Sequence, residues 1–200
     1  MIYIIRHGQT DLNKERLLQG RSDEPLNGEG IRQAEEAASW FRSSGIVIDR
    51  VISSPLGRAV QTAKIITGGG VSLETDDRLL EMDYGPYEGT SLLDPPPEII
   101  TFFSDFVNNP APAGMEPLDH VVQRLGGFLE SLKHEIREGE NILISTHAIA
   151  MKGALEYLDP EPDGKYWARH IANCEVYETS YEAGGYSAPV PSLNLHKSRV

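Results

Sequence analysis

The sequence predicts an α/β protein, a three-layer α/β/α sandwich with a mostly parallel central sheet. Three observations carry that expectation. Strand-like runs alternate with stretches of helical periodicity along the chain. The run at residues 1–5 and the one centred on Ile142, Leu143 and Ile144 are apolar without alternation, as in strands buried on both faces. Both runs lead directly to a histidine, His7 and His147, and open α/β sheets bind ligands at the carboxyl ends of their strands.

The elements follow in order from local chemistry. A polar loop at residues 9–28 succeeds the first strand. Residues 29–43 read as a helix, with Ile31, Ala34, Ala37, Ala38 and Phe41 forming one apolar stripe. Residues 49–53 are a short strand. Ser54-Pro55 has the form of a helix start, a capping hydroxyl followed by proline at the first helical position. That helix is expected to stop at Gly68-Gly69-Gly70, and a further strand to cover residues 71–75. From residue 90 to 117 the character changes. Pro95, Pro96, Pro97, Pro110, Pro112 and Pro117 bracket an aromatic segment at 99–107, which reads as an inserted flap within one domain of residues 1–200. Residues 118–137 form a long helix, and 142–158 a last strand-helix unit. Val176, Tyr177, Tyr181 and Tyr186 around Gly184-Gly185 suggest a hairpin closing one sheet edge, with Cys174 packed in its strand.

Composition excludes several classes of function. Apolar residues at 40 % and charged residues at 24 % are ordinary for a globular chain. A net charge of −12 opposes general nucleic-acid binding, which needs a basic face, and opposes adhesion to anionic membrane. It leaves room for a small phosphorylated substrate, because a cluster of arginines in a cleft dominates the local field. No apolar run is long enough to span a bilayer and no leader precedes the first strand, so a cytoplasmic location is expected. One cysteine permits no intrachain disulfide and no cysteine-rich zinc site. No histidine pair has ligand-like helical spacing, so neither metal nor cofactor is expected.

Five ordered stretches carry the chemistry. Arg6-His7-Gly8-Gln9-Thr10 with Asn13 is followed by Leu18-Gln19-Gly20-Arg21. Ser53-Ser54-Pro55-Leu56-Gly57-Arg58-Ala59 comes next, with Gln61-Thr62-Ala63. Leu80-Glu81 follows with Tyr84-Gly85 and Glu88-Gly89, and Ser145-Thr146-His147 comes last. This set resembles the histidine phosphatase superfamily in its phosphoglycerate mutase-like branch, from residue 2 to about residue 175. The short chain looks similar to the bacterial broad-specificity and α-ribazole phosphatase-like members.

The resemblance implies catalytic roles for His7, Glu81, Arg6, Arg58 and His147, and substrate contacts at Arg6, Asn13, Gln19, Gly20, Arg58, Tyr84, His147 and Ala148. A neutral imidazole attacks phosphorus to form a phosphohistidine, dividing hydrolysis into two easier steps. The family pattern has the Gly8 carbonyl hold the second ring proton of His7. Arg6 and Arg58 are the phosphate clamps, since a guanidinium fork grips two oxygens and keeps its charge. His147, when protonated, adds a third positive donor, and Asn13 a neutral one. Glu81 is the general acid, with Asp83 and Glu88 as rivals for that role. His120, His134, His170 and His196 fit no motif and are expected at the periphery.

Where relatives often place glycine after the second histidine, this chain has Ala148-Ile149, which implies a tighter, more apolar wall. The segment after Gly89 also departs from the pattern, and it is where the family's substrate specificity tends to lie. The expected activity is metal-independent hydrolysis of a small phosphorylated metabolite. A phosphoglycerate mutase-type transfer uses the same residues, and a silent phosphate-binding protein would need the arginines but no acid. A homodimer is compatible with the chain.

Overall fold

Strand β1 (Ile2–Arg6) crosses the middle of the molecule because both of its faces are apolar. In the computed structural model, which describes residues 1–195, Ile2 and Ile4 enter one buried cluster while Tyr3 and Ile5 enter another. Side chains alternate across a strand, so an unbroken apolar run feeds a core on each side. A short helix α1 (Asp11–Lys14) follows, closed by a reciprocal cap between Thr10 and Asn13. Helix α2 (Gly28–Ser43) starts at Asn27, whose side chain accepts the Gly30 N–H. Its buried face holds Ala34, Ala37, Ala38 and Phe41 as the stripe predicts. Ile31 is only partly buried, and Gln33 points inward instead, where its Oε1 accepts the Gln9 N–H at 2.9 Å.

Strand β2 (Arg50–Ser53) and helix α3 (Gly57–Thr67) come next. Contrary to the helix-start reading, Ser54 does not cap α3. The cap falls on Leu56 with no side-chain bond, and the Ser54 hydroxyl lies 2.8 Å from His147 Nε2. The glycine stop holds: Gly68 closes the helix at φ 65°, a left-handed conformation that glycine adopts without penalty. Strand β3 (Leu73–Thr75) is shorter than the 71–75 run, and two 3-10 turns follow at Asp77–Leu79 and Gly85–Tyr87. Helix α4 (Pro97–Ser104) lies in the proline-bracketed segment, with Ile99 and Phe102 buried in the first cluster. Helix α5 (Leu118–Leu132) stops short of residue 137. Strand β4 (Ile142–Thr146), helix α6 (Ala148–Leu158) and helix α7 (Lys165–Ala168) complete the second half.

Strand β5 (Val176–Thr179), the tip strands β6 (Tyr181–Glu182) and β7 (Gly185–Tyr186), and strand β8 (Val190–Leu193) correct the hairpin expectation. Tyr181 and Tyr186 pair only with each other's ribbon, and β5 with β8 builds the sheet edge. Cys174 precedes β5 rather than lying in it, buried at φ 56° with its N–H donating to the Arg6 carbonyl at 3.0 Å. The six-stranded sheet runs β3-β2-β4-β1-β5-β8. The first four of these are mutually parallel, and β5 runs antiparallel to both neighbours. One cluster joins the sheet to α2 and α3, the other to α5 and α6, which makes three layers. Among the described residues no helix is long and apolar enough to cross a membrane.

Candidate active site

The register between β1 and β4 builds the centre of the site. Arg6 pairs with Thr146, so the next residue on each strand is a histidine. The His7 N–H donates to the Thr146 carbonyl at 2.9 Å, and the two imidazole rings lie 5.1 Å apart. On the other flank of β4, Ser53 of β2 pairs with Ser145, which sets α3 beside the same edge. Arg58, in the first turn of α3, is fully buried between the two rings. Its Nε donates to His7 Nε2 at 3.3 Å and to His147 Nδ1 at 3.2 Å.

These bonds assign the tautomers. His7 Nδ1 lies 2.7 Å from the Gly8 carbonyl, which can only accept, so the proton is on Nδ1 and the Nε2 lone pair is bare. His147 receives Arg58 at Nδ1, so its proton is on Nε2, directed to the Ser54 hydroxyl. Burial, followed by the charge of Arg58, holds both imidazoles well below the usual histidine range. His147 is therefore neutral, and the third positive donor expected of it is not present in this state. Gly8 is required for a packing reason: a Cβ there would stand 2.4 Å from the Gly30 carbonyl oxygen.

The guanidiniums are held differently from a free clamp. Arg58 Nη1 and Nη2 donate to the Ser22 and Gly20 carbonyls at 2.5 and 2.7 Å, leaving its Nε edge on the histidines. Arg6 Nη1 donates to the Ile171 carbonyl at 2.6 Å, while its Nε is buried without a partner among the described residues. Burial pulls both guanidiniums down from their usual value. Gln19 Oε1 accepts from Thr10 and Asn13, and Gln19 Nε2 is a second buried donor without a partner among the described residues. Asn13 is occupied in capping α1 and in accepting from Asn173. Gly20 allows a close approach, since a Cβ there would meet the Met82 carbonyl oxygen at 2.5 Å and the Tyr84 ring at 2.9 Å. Tyr84 is buried, and its hydroxyl titrates well above the usual range because of that burial.

Glu81 reaches the amino end of α6, directly after His147. Its carboxylate accepts the N–H groups of Ile149 at 3.1 Å and Ala150 at 2.9 Å, and of Met82 at 2.9 Å. No side chain caps α6 at His147, so Glu81 supplies that function from another loop. The rival carboxylates stand elsewhere. Glu88 accepts from Gly20 N–H, Ser22 N–H and the Ser22 hydroxyl, and exposed Asp83 accepts from Gly85 N–H. Ala148 opens α6 beside this cluster.

Sequence reading missed several supports. Thr62 accepts the Gly8 N–H and donates to the Arg58 carbonyl, tying the two motifs together. Asn173 donates to the His7 carbonyl at 2.9 Å. Arg124 of α5 donates to the Arg78 and Leu80 carbonyls, both at 2.7 Å, and pairs with Glu116 through two nitrogens. Glu116 in turn accepts the Asp83 N–H, so this pair brackets Glu81 on both sides. Burial opposes ionisation of Glu116, but Arg124, the Asp83 N–H and Arg21 together outweigh it and lower the carboxyl from its usual value. Thr62 lies in the Gln61-Thr62-Ala63 stretch already singled out, whereas Asn173, Arg124 and Glu116 sit in no recognisable run. Exposed His120 pairs with Glu116, His134 and His170 are exposed, and His196 lies outside the described residues.

Comparison with known proteins agrees with this geometry. The profile described as "Histidine phosphatase superfamily (branch 1)" matches residues 2–190. A "Probable phosphoglycerate mutase GpmB" of Yersinia pestis (strain Pestoides F) is 33 % identical over 191 residues, covering 94 % of this chain and 87 % of that one. A mycobacterial glucosyl-3-phosphoglycerate phosphatase in complex with VO3 superposes with a TM-score of 0.77 at 25 % identity, over 90 % of this chain and 92 % of that one. The α-ribazole phosphatase of Shigella flexneri shares the fold, with a TM-score of 0.80 at 22 % identity and 95 % of each chain covered.

Proposed function

Because the chain belongs to branch 1 of the histidine phosphatase superfamily, we propose that it is a metal-independent phosphomonoesterase. One observation carries the reading most. The His7 ring is pinned through Nδ1–H on the Gly8 carbonyl, and its bare Nε2 points at Arg58. A neutral imidazole with its lone pair directed at a guanidinium is arranged to attack the phosphorus of an anion held there. The unpartnered Arg6 Nε and Gln19 Nε2 are further donors suited to phosphate oxygens.

The reaction runs in two displacements. His7 Nε2 forms a bond to phosphorus as the ester P–O bond breaks, and protonated Glu81 gives its proton to the departing alkoxide. Water then attacks the phosphohistidine, Glu81 takes back a proton, and phosphate leaves with the His7 lone pair restored. Arg6 and Arg58 supply the positive charge, with Asn13, Gln19, Gly20, Tyr84, His147 and Ala148 shaping the phosphate pocket. Residues 90–117 act as a flap over it. The substrate is a small phosphorylated metabolite.

The test is a panel of phosphomonoesters assayed with wild-type chain and His7→Ala, with and without chelator. Release of phosphate that survives chelation and falls at least about 10³-fold in His7→Ala supports the reading. Equal turnover in His7→Ala, or activity that returns only with added metal, contradicts it. The mutase reading draws on the name of the 33 % identical relative. Conversion of 3- to 2-phosphoglycerate faster than phosphate release would favour it.

A further inference from the structure

A cavity of about 500 Å³ lies between the inserted segment and the last helices, walled by Phe103, Phe106, Lys152, Trp167, Arg169 and His170. Such a volume is in the range of small-molecule sites, about 300–1,000 Å³. Lys152 is the unusual wall. It is only 8 % exposed, its Nζ donates to the Trp167 carbonyl at 2.7 Å, and it stands 5.0 Å from the centre of the Phe106 ring. Lys133 and Lys165 each sit on a carboxylate, whereas the partners of Lys152 are a carbonyl and a ring face. A buried ammonium of that kind is poorly compensated. Burial pulls it down to about 8, with Glu81 opposing the fall and Arg6 adding to it.

Chain neighbours link the wall of this cavity to the reacting groups. Lys152 is one helical turn beyond Ile149, whose N–H holds Glu81. His170 on its wall precedes Ile171, whose carbonyl holds Arg6. The other ionic groups there are already engaged. Arg169 pairs with Glu175 at 3.2 Å and stacks over Tyr177, and Asp105 accepts from Val107 and Asn108.

We infer that this cavity is the leaving-group subsite, and that Lys152 binds a carboxylate carried on an apolar or aromatic body packed against Phe106 and Trp167. The inference rests on the phosphatase reading of His7. A carboxylate suits a single compact ammonium, whereas a second phosphate is better served by a guanidinium fork or several cations. The tilted Phe106 and Trp167 rings, 6.1 Å apart, offer apolar faces to the body of the leaving group.

The test compares phenyl phosphate with 4-carboxyphenyl phosphate, which differ only in the carboxylate. In the wild-type chain kcat/KM favours the carboxylated ester by about tenfold or more, the scale of one hydrogen bond to a charged group. Lys152→Gln brings that ratio to about one, and Lys152→Arg restores part of it. A second arm needs no variant, should loss of the Trp167 bond unfold the chain. The ratio in wild type declines as pH rises through about 8, where Lys152 loses its proton. Both esters share the same phosphate, so the ratio reports the groups facing the carboxylate: Lys152, with Glu81, Arg6, Asp105, Arg169 and His170 around it. Equal kcat/KM for the two esters in wild type, or a preference that survives Lys152→Gln, overturns the subsite. If neither ester is hydrolysed, calorimetric Kd values for the same pair decide the subsite by the same ratio, and the phosphomonoester panel decides the phosphatase reading separately.

Discussion

The cluster at the strand ends and the inserted segment are built in opposite ways. On the first, His7, Arg58, Glu81 and His147 are at most 3 % exposed, and backbone groups hold most of them. Gly8 fixes His7, Gly20 and Ser22 fix Arg58, and the start of α6 fixes Glu81. On the second, rings hold rings: Phe102, Phe103 and Phe106 pack edge to face with centres 4.9 to 5.3 Å apart. Backbone anchors leave little freedom, so they suit chemistry that needs reacting atoms placed within a fraction of an ångström. Packed rings can be exchanged for others of similar volume at small cost, so on the proposed reading they suit a surface that chooses the leaving group. On that reading the difference separates what the site does from what it accepts.

Beyond loss of His7, the largest expected effect that sharpens this division is at Glu81. Glu81→Gln keeps an oxygen for the α6 amides but loses the proton. Turnover of alkyl phosphates falls about 10²–10⁴-fold, and turnover of p-nitrophenyl phosphate, whose leaving group needs no acid, falls far less. Equal losses on both esters would reassign Glu81 to a structural role. Arg124→Leu comes next. It breaks a buried pair with Glu116, whose side chains are 10 % and 5 % exposed, and frees the carbonyls that frame Glu81. We expect roughly 3 kcal/mol lost in denaturant unfolding, the low end for such a break because Arg21 and His120 stay beside Glu116. A selective loss of the alkyl-phosphate rate accompanies it.

The two imidazoles predict a pH effect on stability. Both have folded-state values well below the ordinary histidine value, so the unfolded chain binds protons that the folded chain refuses. Stability is therefore greatest above about pH 6.5 and falls as pH drops below it, by up to about 1.4 kcal/mol per pH unit for each ring. A thermal midpoint unchanged from about pH 7.5 to 5.5 would contradict neutral, buried rings. The smallest effect is expected at Ser54→Ala, which removes the partner of His147 Nε2 but leaves Arg58 in place. About 1 kcal/mol of stability and a few-fold of kcat should go.

Much of this was legible in the chain, and the limits are instructive. The two apolar runs ending at His7 and His147 are legible as strands buried on both faces, and the parallel pairing of β1 with β4 brings their ends together. The order of motifs identified the five central side chains, and the structure brings them to one sheet edge. What stayed hidden depends on contacts across long separations. Ser54 reads as a helix cap until His147, 93 residues away, claims its hydroxyl. Gln33 interrupts an apolar stripe because the Gln9 N–H needs an acceptor inside. The neutrality of His147 depends on burial and on where Arg58 points, neither of which is written in the residues around it. Lys152 belongs to no motif, and only the packing of Trp167 and Phe106 around it sets it apart.

The central claim is that the bare Nε2 of His7 becomes covalently attached to phosphorus. Rapid-quench mass spectrometry of wild-type chain during turnover of a phosphomonoester tests it most directly. The account predicts a base-stable, acid-labile phosphoryl adduct that maps to His7 and vanishes in His7→Ala. An adduct on any other residue, or turnover that continues in His7→Ala with none formed, would contradict it.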